Sequence, residues 1–271
     1  MSYEAIKYEK SEGYGVITLN RPERLNAIGK QMVEEISRVI NEVSKSNEVN
    51  VLIITGAPRP DGRPCFCAGA DLKDIMEKGV LPPLPLLEAM AAITTGERKG
   101  DGAFWEIVAR CPKITIAAID GVCSAGGLEL ALACDIILAS ETAQIGDLHM
   151  KNMGGIGGAA ITTNLSRRVG VARAIEMICT SDFIDGKEAH RINFANHVFP
   201  PAKLIDGARE LAKKIGGMRP EATALVKVTC NSIYNLDYRT AWRYADACSA
   251  ALGGAPKPGE PIVIKKEPPR K

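Results

Sequence analysis

The feature that most constrains the fold is a long apolar stretch in the middle of the chain, ITIAAIDGVCSAGGLELALACDIILA (114–139). Asp120, Glu129 and Asp135 interrupt it, so it never reaches the ~18 consecutive apolar residues that a membrane-spanning helix needs. Its first part, residues 114–121, has the length and composition of a buried strand. The small residues VCSAGG (122–127) then make a predicted turn, and LELALACD continues as a helix. A buried strand that leads into an apolar helix favours an α/β core.

Strand and helix patterns alternate over the first two thirds of the chain, and helical patterns follow from about residue 157. The predicted strands are 14–20, 50–56, 114–121, 135–140 and 143–146, and the predicted helices are 30–46, 158–169, 171–180, 202–216, 220–235 and 238–251. We therefore predict an α/β core over residues 1–195 and a helical region with an extended tail over residues 196–271. The Pro-rich segment 79–101 is predicted to be a mobile cover over a site.

The composition and charge of the chain narrow the range of possible functions. A formal net charge of +2 and 5% aromatic residues argue against a nucleic-acid-binding face. The polar start, MSYEAIKYEKSEGYG, lacks the apolar region of a secretory signal, and no membrane span is expected. The eight cysteines include no CxxC pair and no Cys/His ligand set, which indicates reduced thiols and no metal site. These features predict a cytoplasmic protein that binds neither nucleic acid nor membrane.

The small residues Ala125, Gly126 and Gly127 mark one candidate site. They open a predicted helix, whose first backbone N–H groups have no intrahelical partner and carry partial positive charge. Without bulky side chains, this backbone is open to a ligand and suits a developing oxyanion. Glu129 lies within one turn of these donors. From spacing alone it either complements the helix dipole or takes part in catalysis, and the two readings stay open.

A second stretch, PCFCAGADLKDI (64–75), has the same design of strand, small residues and helix start. Ala68, Gly69 and Ala70 again expose backbone. Lys73 stands just inside the helix, where it is either a solvated surface charge or a phosphate contact. Two such helix starts together would offer two N–H donors to one carbonyl oxygen and would stabilise an enolate or a tetrahedral oxyanion.

These segments resemble a known family. FCAGADLK (66–73) and GVCSAGGLELALACDIILAS (121–140) look like the two hallmark segments of the crotonase, or enoyl-CoA hydratase/isomerase, superfamily, and NRPERLNAI (20–28) resembles its opening motif. The similarity runs from about residue 14 to about residue 235 and includes FIDGKEAHRINFANHVFP (183–200). It implies a spiral of ββα units, C-terminal helices that join subunits into homotrimers or dimers of trimers, and a coenzyme A thioester as substrate. No cofactor beyond the coenzyme A moiety of the substrate is expected.

The resemblance also implies roles for particular residues. Ala70 and Gly126 match the two positions whose N–H groups form the family's oxyanion hole, in agreement with the backbone argument. Glu129 matches the first catalytic glutamate of the hydratases. The positions where the family holds the adenine and phosphates of coenzyme A fall on Arg24, Ala68, Asp71, Leu72 and Lys73.

The sequence departs from the family pattern in three places. Ala125 replaces the first glycine of a GGG motif, His149 in IGDLH falls where the family has its second glutamate, and the tail PKPGEPIVIKKEPPRK lacks the usual final helix. Since histidine titrates near neutrality, His149 is a candidate second acid or base, with Asp147 as the group that orients it. The alternative is that His149 only lines the pocket and Glu129 works alone. Asp147 and His149 share a face on a strand but not on a helix.

The expected activity is hydration of an α,β-unsaturated enoyl- or dienoyl-CoA thioester through a stabilised enolate. Double-bond isomerisation, or hydrolysis of an acyl-CoA, is the alternative on the same fold. A non-catalytic coenzyme A-binding or scaffold homologue is the alternative of another class, and the presence of Glu129 argues against it. Two local motifs suggest other chemistry only weakly: VCSAG (122–126) is close to a hydrolase nucleophile elbow, and GGIGGAA (154–160) contains a G-x-G-x-x-A dinucleotide pattern.

Overall fold

A computed structural model describes residues 3–74 and 102–253 of the chain. The predicted cover over residues 79–101 and the tail from residue 254 onward lie outside the described residues. Within the described ranges, no helix is both long enough and apolar enough to cross a membrane.

Nine strands are found in the described ranges: β1 (Ile6–Ser11), β2 (Gly13–Leu19), β3 (Val49–Gly56), β4 (Cys65–Cys67), β5 (Ile114–Ile119), β6 (Val122–Ser124), β7 (Ile136–Ser140), β8 (Gln144–Gly146) and β9 (His197–Phe199). In this part of the chain, six of them form one sheet in the order β1-β2-β3-β5-β7-β9, and β4-β6-β8 form a smaller one. Only the β1–β2 pair is antiparallel among these described pairs.

The two sheets are built by a repeated unit. β3 and β4, β5 and β6, and β7 and β8 each supply one strand to the large sheet and the next to the small sheet. A helix follows each of the last two pairs. This is the predicted α/β spiral of ββα turns. Three strands differ from the strands predicted from periodicity: β1 and β9 are not among them, and residues 122–124 form β6 where a turn was expected.

Ten α-helices lie in the same ranges: α1 (Lys30–Ser44), α2 (Gly102–Ala109), α3 (Gly126–Ala133), α4 (His149–Met153), α5 (Ile161–Val169), α6 (Val171–Thr180), α7 (Gly186–Arg191), α8 (Leu204–Gly216), α9 (Pro220–Ser232) and α10 (Tyr238–Ala251). The predicted C-terminal helices are therefore present. The chain divides into compact units Met1–Pro220 and Glu221–Lys271. Helix α8, which the sequence assigns to the C-terminal region, packs on β2, β3 and β5. The functional division at residue 195 stays a prediction.

The central strand β3 shows why the parallel sheet is buried on both faces. Leu52 and Ile54 point into a core that α1 covers, whereas Val51 and Ile53 point into a second core that α8 covers. Successive side chains of a strand point to opposite faces, so an uninterrupted apolar run is what a strand covered on both sides requires. The candidate residues Ala70, Gly126 and His149 follow β4, β6 and β8, so the candidate site lies at the carboxyl ends of the strands of the small sheet.

Candidate active site

The two small-residue loops meet, as their pattern predicts. Residues 69–71 run beside Ile28, whose N–H donates to the Gly69 carbonyl at 2.8 Å and whose carbonyl accepts the Asp71 N–H at 2.9 Å. Ala70 lies between these two hydrogen bonds, and its own N–H takes part in neither of them. A methyl group on Gly126 would lie only 3.0 Å from the Ala70 nitrogen. Neither the Ala70 nor the Gly126 N–H has an acceptor within residues 3–74 and 102–253. Two free donors side by side are what an oxyanion hole requires.

The turn into α3 explains why this segment is made of small residues. Ala125 adopts φ 46° and ψ −121°, a conformation that side-chain-bearing residues rarely occupy. A Cβ at Gly127 would lie 2.2 Å from the carbonyl oxygen of Cys67, so the close approach of the two loops requires glycine there. The Trp105 Nε1–H donates to the Gly126 carbonyl at 3.3 Å and steadies the helix start. The sequence carried no signal for this tryptophan.

The positive φ of Ala125 leads to a stability prediction. Glycine adopts this conformation without the strain of a Cβ, so Ala125→Gly is expected to raise the free energy of unfolding by about 0.5–1 kcal/mol, after the added entropy of the unfolded chain is subtracted. Urea denaturation measures the change. Ala131→Gly, in the regular part of α3, is the matched control and should destabilise the protein by about 1 kcal/mol or more. A loss of stability in Ala125→Gly similar to that of the control would contradict the strain at Ala125.

Glu129 lies on the first turn of α3, directly behind the two amide donors. Its residue is buried, and its N–H donates to the Ala125 carbonyl at 3.0 Å. The Oε1 atom of Glu129 lies 4.0 Å from Nε2 of His149. The two side chains that the sequence singled out as catalytic candidates therefore face one another beside the amide pair. At this separation the two side chains share no direct hydrogen bond.

His149 begins helix α4, and Asp147 lies in the turn before it. Asp147 thus precedes the helix that His149 begins, and the two residues share neither a strand nor a helix. Oδ1 of Asp147 lies 2.5 Å from Nδ1 of His149 and accepts the backbone N–H of the same residue at 3.1 Å. The hydrogen bond that His149 donates to Asp147 raises the pKa of His149 above 6.5, burial opposes this, and the negative charges of Asp147 and Glu129 raise the pKa further. His149 is therefore held closer to its cationic form at neutral pH.

The loop GGIGGAA closes over these side chains at Gly157. A Cβ there would lie 2.6 Å from Nδ1 of His149 and 2.9 Å from Oε1 of Glu129. The glycine run that resembled a weak dinucleotide motif follows helix α4 and not a strand, so the context that a dinucleotide fingerprint needs is absent. Its observed place is against the candidate catalytic pair, which local sequence alone did not reveal.

We expect Gly157→Ala to lower activity at least about tenfold, because the added methyl group displaces the His149 ring from Glu129 and small misplacements of reacting groups are costly. The ring cannot move away easily, since Asp147 holds it at 2.5 Å. Steady-state kinetics on the best thioester measures the loss. Gly158→Ala is the matched control, because a Cβ at Gly158 meets no atom of the described residues within 4 Å. Equal activity of the two variants would show that the loop does not press on the pair.

The residues predicted to hold coenzyme A lie in the 64–75 segment and in the NRPERLNAI segment beside it. Arg24, Leu72 and Lys73 are exposed, Ala68 is half-buried and Asp71 is buried. Asp71 is bound by the protein itself. Its Oδ2 accepts from Nη2 of Arg21 at 2.7 Å, and its Oδ1 accepts the Asp74 N–H at 3.3 Å.

Burial raises the pKa of Asp71, but the bonds from Arg21 and from the Asp74 N–H outweigh this effect and lower it. Asp71 thus stays ionised and joins the 64–75 loop to the NRPERLNAI segment. Sequence reasoning missed Arg21. Its place beside Arg24 in the same motif was the only available signal.

The nucleophile-elbow alternative does not fit the local geometry. The Oγ of Ser124 is buried and donates to the Ala68 carbonyl at 3.0 Å. The unusual backbone conformation belongs to Ala125, which carries no nucleophile. Burial raises the pKa of the nearby Cys67 thiol to about 12, so this cysteine is a neutral packing residue. Across residues 3–74 and 102–253, no three His, Cys, Asp or Glu side chains are grouped as metal ligands would be.

Comparisons with known proteins define the family. The family model described as enoyl-CoA hydratase/isomerase matches residues 9–249. A probable enoyl-CoA hydratase of Mycobacterium bovis is 32% identical over 234 residues, which are 86% of this chain and 84% of that protein. The short-chain-enoyl-CoA hydratase of Clostridium acetobutylicum is 34% identical over 245 residues, which are 89% and 86% of the two chains. The crystal structure of an enoyl-CoA hydratase from Bacillus anthracis aligns with a TM-score of 0.80 at 29% identity and covers 93% of this chain and 92% of that one. The chain belongs to the enoyl-CoA hydratase/isomerase family.

The predicted family and the crotonase-like α/β fold are thereby confirmed, and so is the prediction of an enzyme of the hydratase type. The roles of Glu129, His149, Ala70, Gly126 and the coenzyme A-binding residues stay predictions.

Proposed function

We propose that this protein hydrates an α,β-unsaturated acyl-CoA thioester, and that Glu129 and His149 share the proton transfers. The observation that carries the proposal is the position of a buried carboxylate 4.0 Å from an imidazole, next to the paired N–H groups of Ala70 and Gly126. An acid–base pair beside an oxyanion hole suits water addition through an enolate. The chain's relatives named enoyl-CoA hydratase support the same reaction class.

Each proton transfer of the proposed reaction uses a group of this chain. The thioester oxygen accepts from the Ala70 and Gly126 N–H groups, which withdraw electrons from the conjugated double bond. Ionised Glu129 takes a proton from water while the water oxygen bonds to Cβ, and the displaced electron pair becomes the enolate on the thioester oxygen. The enolate then collapses as cationic His149 gives its Nε2 proton to Cα. A proton passed from Glu129 to His149 restores both groups, so the sum of the steps is one water added.

We assign coenzyme A binding to the surface around the 64–75 loop. We place the adenine and phosphates of coenzyme A near the exposed Arg24, Leu72 and Lys73, with backbone contacts from Ala68. Asp71 contributes by fixing the loop through Arg21 and not by touching phosphate, because its carboxylate already has partners. A homotrimer or a dimer of trimers in the cytoplasm, with no nucleic-acid partner, belongs to the same proposal. The eight free thiols, five of them buried, are consistent with a reducing compartment.

A panel of thioesters tests the proposal. The purified protein is given linear 2-enoyl-CoA, dienoyl-CoA, cyclic enoyl-CoA, 3-enoyl-CoA and saturated acyl-CoA thioesters, and products are separated by chromatography and weighed by mass spectrometry. We expect a 3-hydroxyacyl-CoA from at least one conjugated substrate. Migration of the 3-enoyl double bond with no water added would identify an isomerase, and release of free coenzyme A would identify a hydrolase. Thioester binding with no turnover on any substrate would identify a non-catalytic homologue.

A further inference from the structure

Asp147 is a buried acid in the candidate site that the proposed proton transfers do not use. Asp147 lies between β8 and α4 and is 0% exposed. An ionised carboxylate in such a place is strongly disfavoured unless a positive charge or several hydrogen bonds compensate it. Its partners therefore indicate what the residue is for.

All contacts that the structure shows for the Asp147 carboxylate come from His149. Oδ1 accepts hydrogen bonds from the imidazole Nδ1 and from the backbone N–H of His149. Oδ2 is buried without a hydrogen-bond partner among the described residues. Asp71, another buried acid near the site, is instead bound by Arg21 and by the Asp74 N–H. With no arginine or lysine near Asp147 in those ranges, the His149 ring is the cation that this buried charge faces.

The other charged groups around the His149 ring are few. From α3, Glu129 faces Nε2. From α6, which packs on α4, Arg173 and Glu176 pair with each other at 2.5 Å. Lys151, on α4 itself, is exposed to solvent. The ring thus lies between two carboxylates, each facing a different nitrogen, and only Asp147 is within hydrogen-bond distance.

We propose that Asp147 is the positioning residue of the reaction: it keeps the hydrogen of the His149 imidazole on Nδ1, aims Nε2 at Glu129 and the substrate, and places a carboxylate beside the positive charge of the protonated ring. This inference rests on the proposed hydratase function. Asp147 itself neither gains nor loses a proton. Only the Nε2 proton of His149 moves, to Cα in the hydration step, and the Nδ1–H···Oδ1 bond persists throughout, as in other Asp–His pairs.

The wild-type protein provides a first test that needs no variant at Asp147. The chain has three histidines, His149, His190 and His197, so nitrogen NMR of the rings is tractable, and His149→Gln assigns the His149 signals. We expect neutral His149 to carry its hydrogen on Nδ1. We also expect its pKa to lie above those of free imidazoles, in the direction that the Asp147 bond imposes. A hydrogen on Nε2 in the neutral ring would overturn the proposal, whatever the catalytic activity.

Asp147→Asn provides the second test. The loss of a negative charge at this distance is expected to lower the pKa of His149 by about one unit or more. Because hydration uses the cationic ring, activity is lost as the pH rises through that pKa, and the alkaline limb of the kcat/KM profile moves to lower pH by the same amount. In a His149→Gln background the same change should have little further effect. Asp120→Asn is the control, since Asp120 holds Ser140 elsewhere in the fold and should leave the profile in place.

The outcomes separate the two proposals. An unchanged His149 pKa and pH profile in Asp147→Asn would overturn the role of Asp147 while hydration itself stands. A lowered His149 pKa, in a protein that hydrates no thioester of the panel, would overturn the proposed function and with it the reaction role of Asp147, but not the pairing. If Asp147→Asn does not fold, the wild-type Nδ1–H tautomer decides the inference.

Discussion

Glu129→Gln is expected to lower kcat for hydration by about 10²–10⁴-fold, with a much smaller change in KM. Positioned acid–base groups contribute rate factors of this size, and a glutamine amide cannot take a proton from water. Glutamine has nearly the shape of glutamate, so the buried first turn of α3 and the adjacent amide donors remain in place. A loss confined to kcat indicates an interaction made only in the transition state.

Stopped or continuous assays of 2-enoyl-CoA hydration measure this change, and circular dichroism confirms that the variant is folded. The matched control is Glu34→Gln, an exposed glutamate on α1, which should keep wild-type activity. Full activity of Glu129→Gln on the best substrate would exclude the carboxylate as the base and leave the amide pair as the catalytic element.

His149→Ala is expected to lower kcat by about 10²-fold and to remove the alkaline limb of the pH profile. In the wild-type protein the pKa of His149 is raised, so the cationic ring persists as the pH rises above 6.5 and activity declines only when the pH passes through the raised pKa. Without the ring, no group of that pKa supplies the Cα proton. Added imidazole, which fits the space left by the side chain, should restore part of the rate.

The control for His149→Ala is His190→Ala, whose ring contacts the Ala195 carbonyl away from the candidate site. This variant should keep the wild-type pH profile. A loss of less than a few-fold in His149→Ala, with the alkaline limb intact, would make His149 a residue that only lines the pocket. Glu129 would then be the single acid–base group, and double-bond isomerisation would become the better-supported reaction.

Much of the fold could be predicted because its signals are local. The apolar run of β3 and the strand–small-residue–helix pattern around Gly126 are properties of a few consecutive residues. The turn predicted at residues 122–124 is wrong because the signal for strand β6 is not local. The strand is three residues long, and its identity depends on pairing with β4 and β8 from distant parts of the chain. Such a short strand has no periodicity of its own to detect.

The site shows the same limit. The backbone argument predicted that two small-residue helix starts come together, and the family resemblance pointed to Ala70 and Gly126 within them. The structure places these two residues side by side. Gly157 was not predicted, because its requirement for glycine arises only when its loop closes on His149 and Glu129. Ala125 looked like a mild replacement of glycine in the sequence, whereas its φ of 46° shows that the backbone kept the conformation that glycine favours. Tertiary contacts, and not local propensity, determine which residue types these positions require.

The central claim is that this chain adds water across a conjugated double bond with Glu129 and His149. The most direct measurement is mass spectrometry and NMR of the product formed from a 2-enoyl-CoA in ¹⁸O-labelled heavy water. The account predicts a 3-hydroxyacyl-CoA with ¹⁸O on Cβ and deuterium on Cα, formed by the wild-type protein and at least about a hundredfold more slowly by Glu129→Gln. Label found in a released carboxylic acid, or deuterium incorporated with no oxygen added, would contradict it.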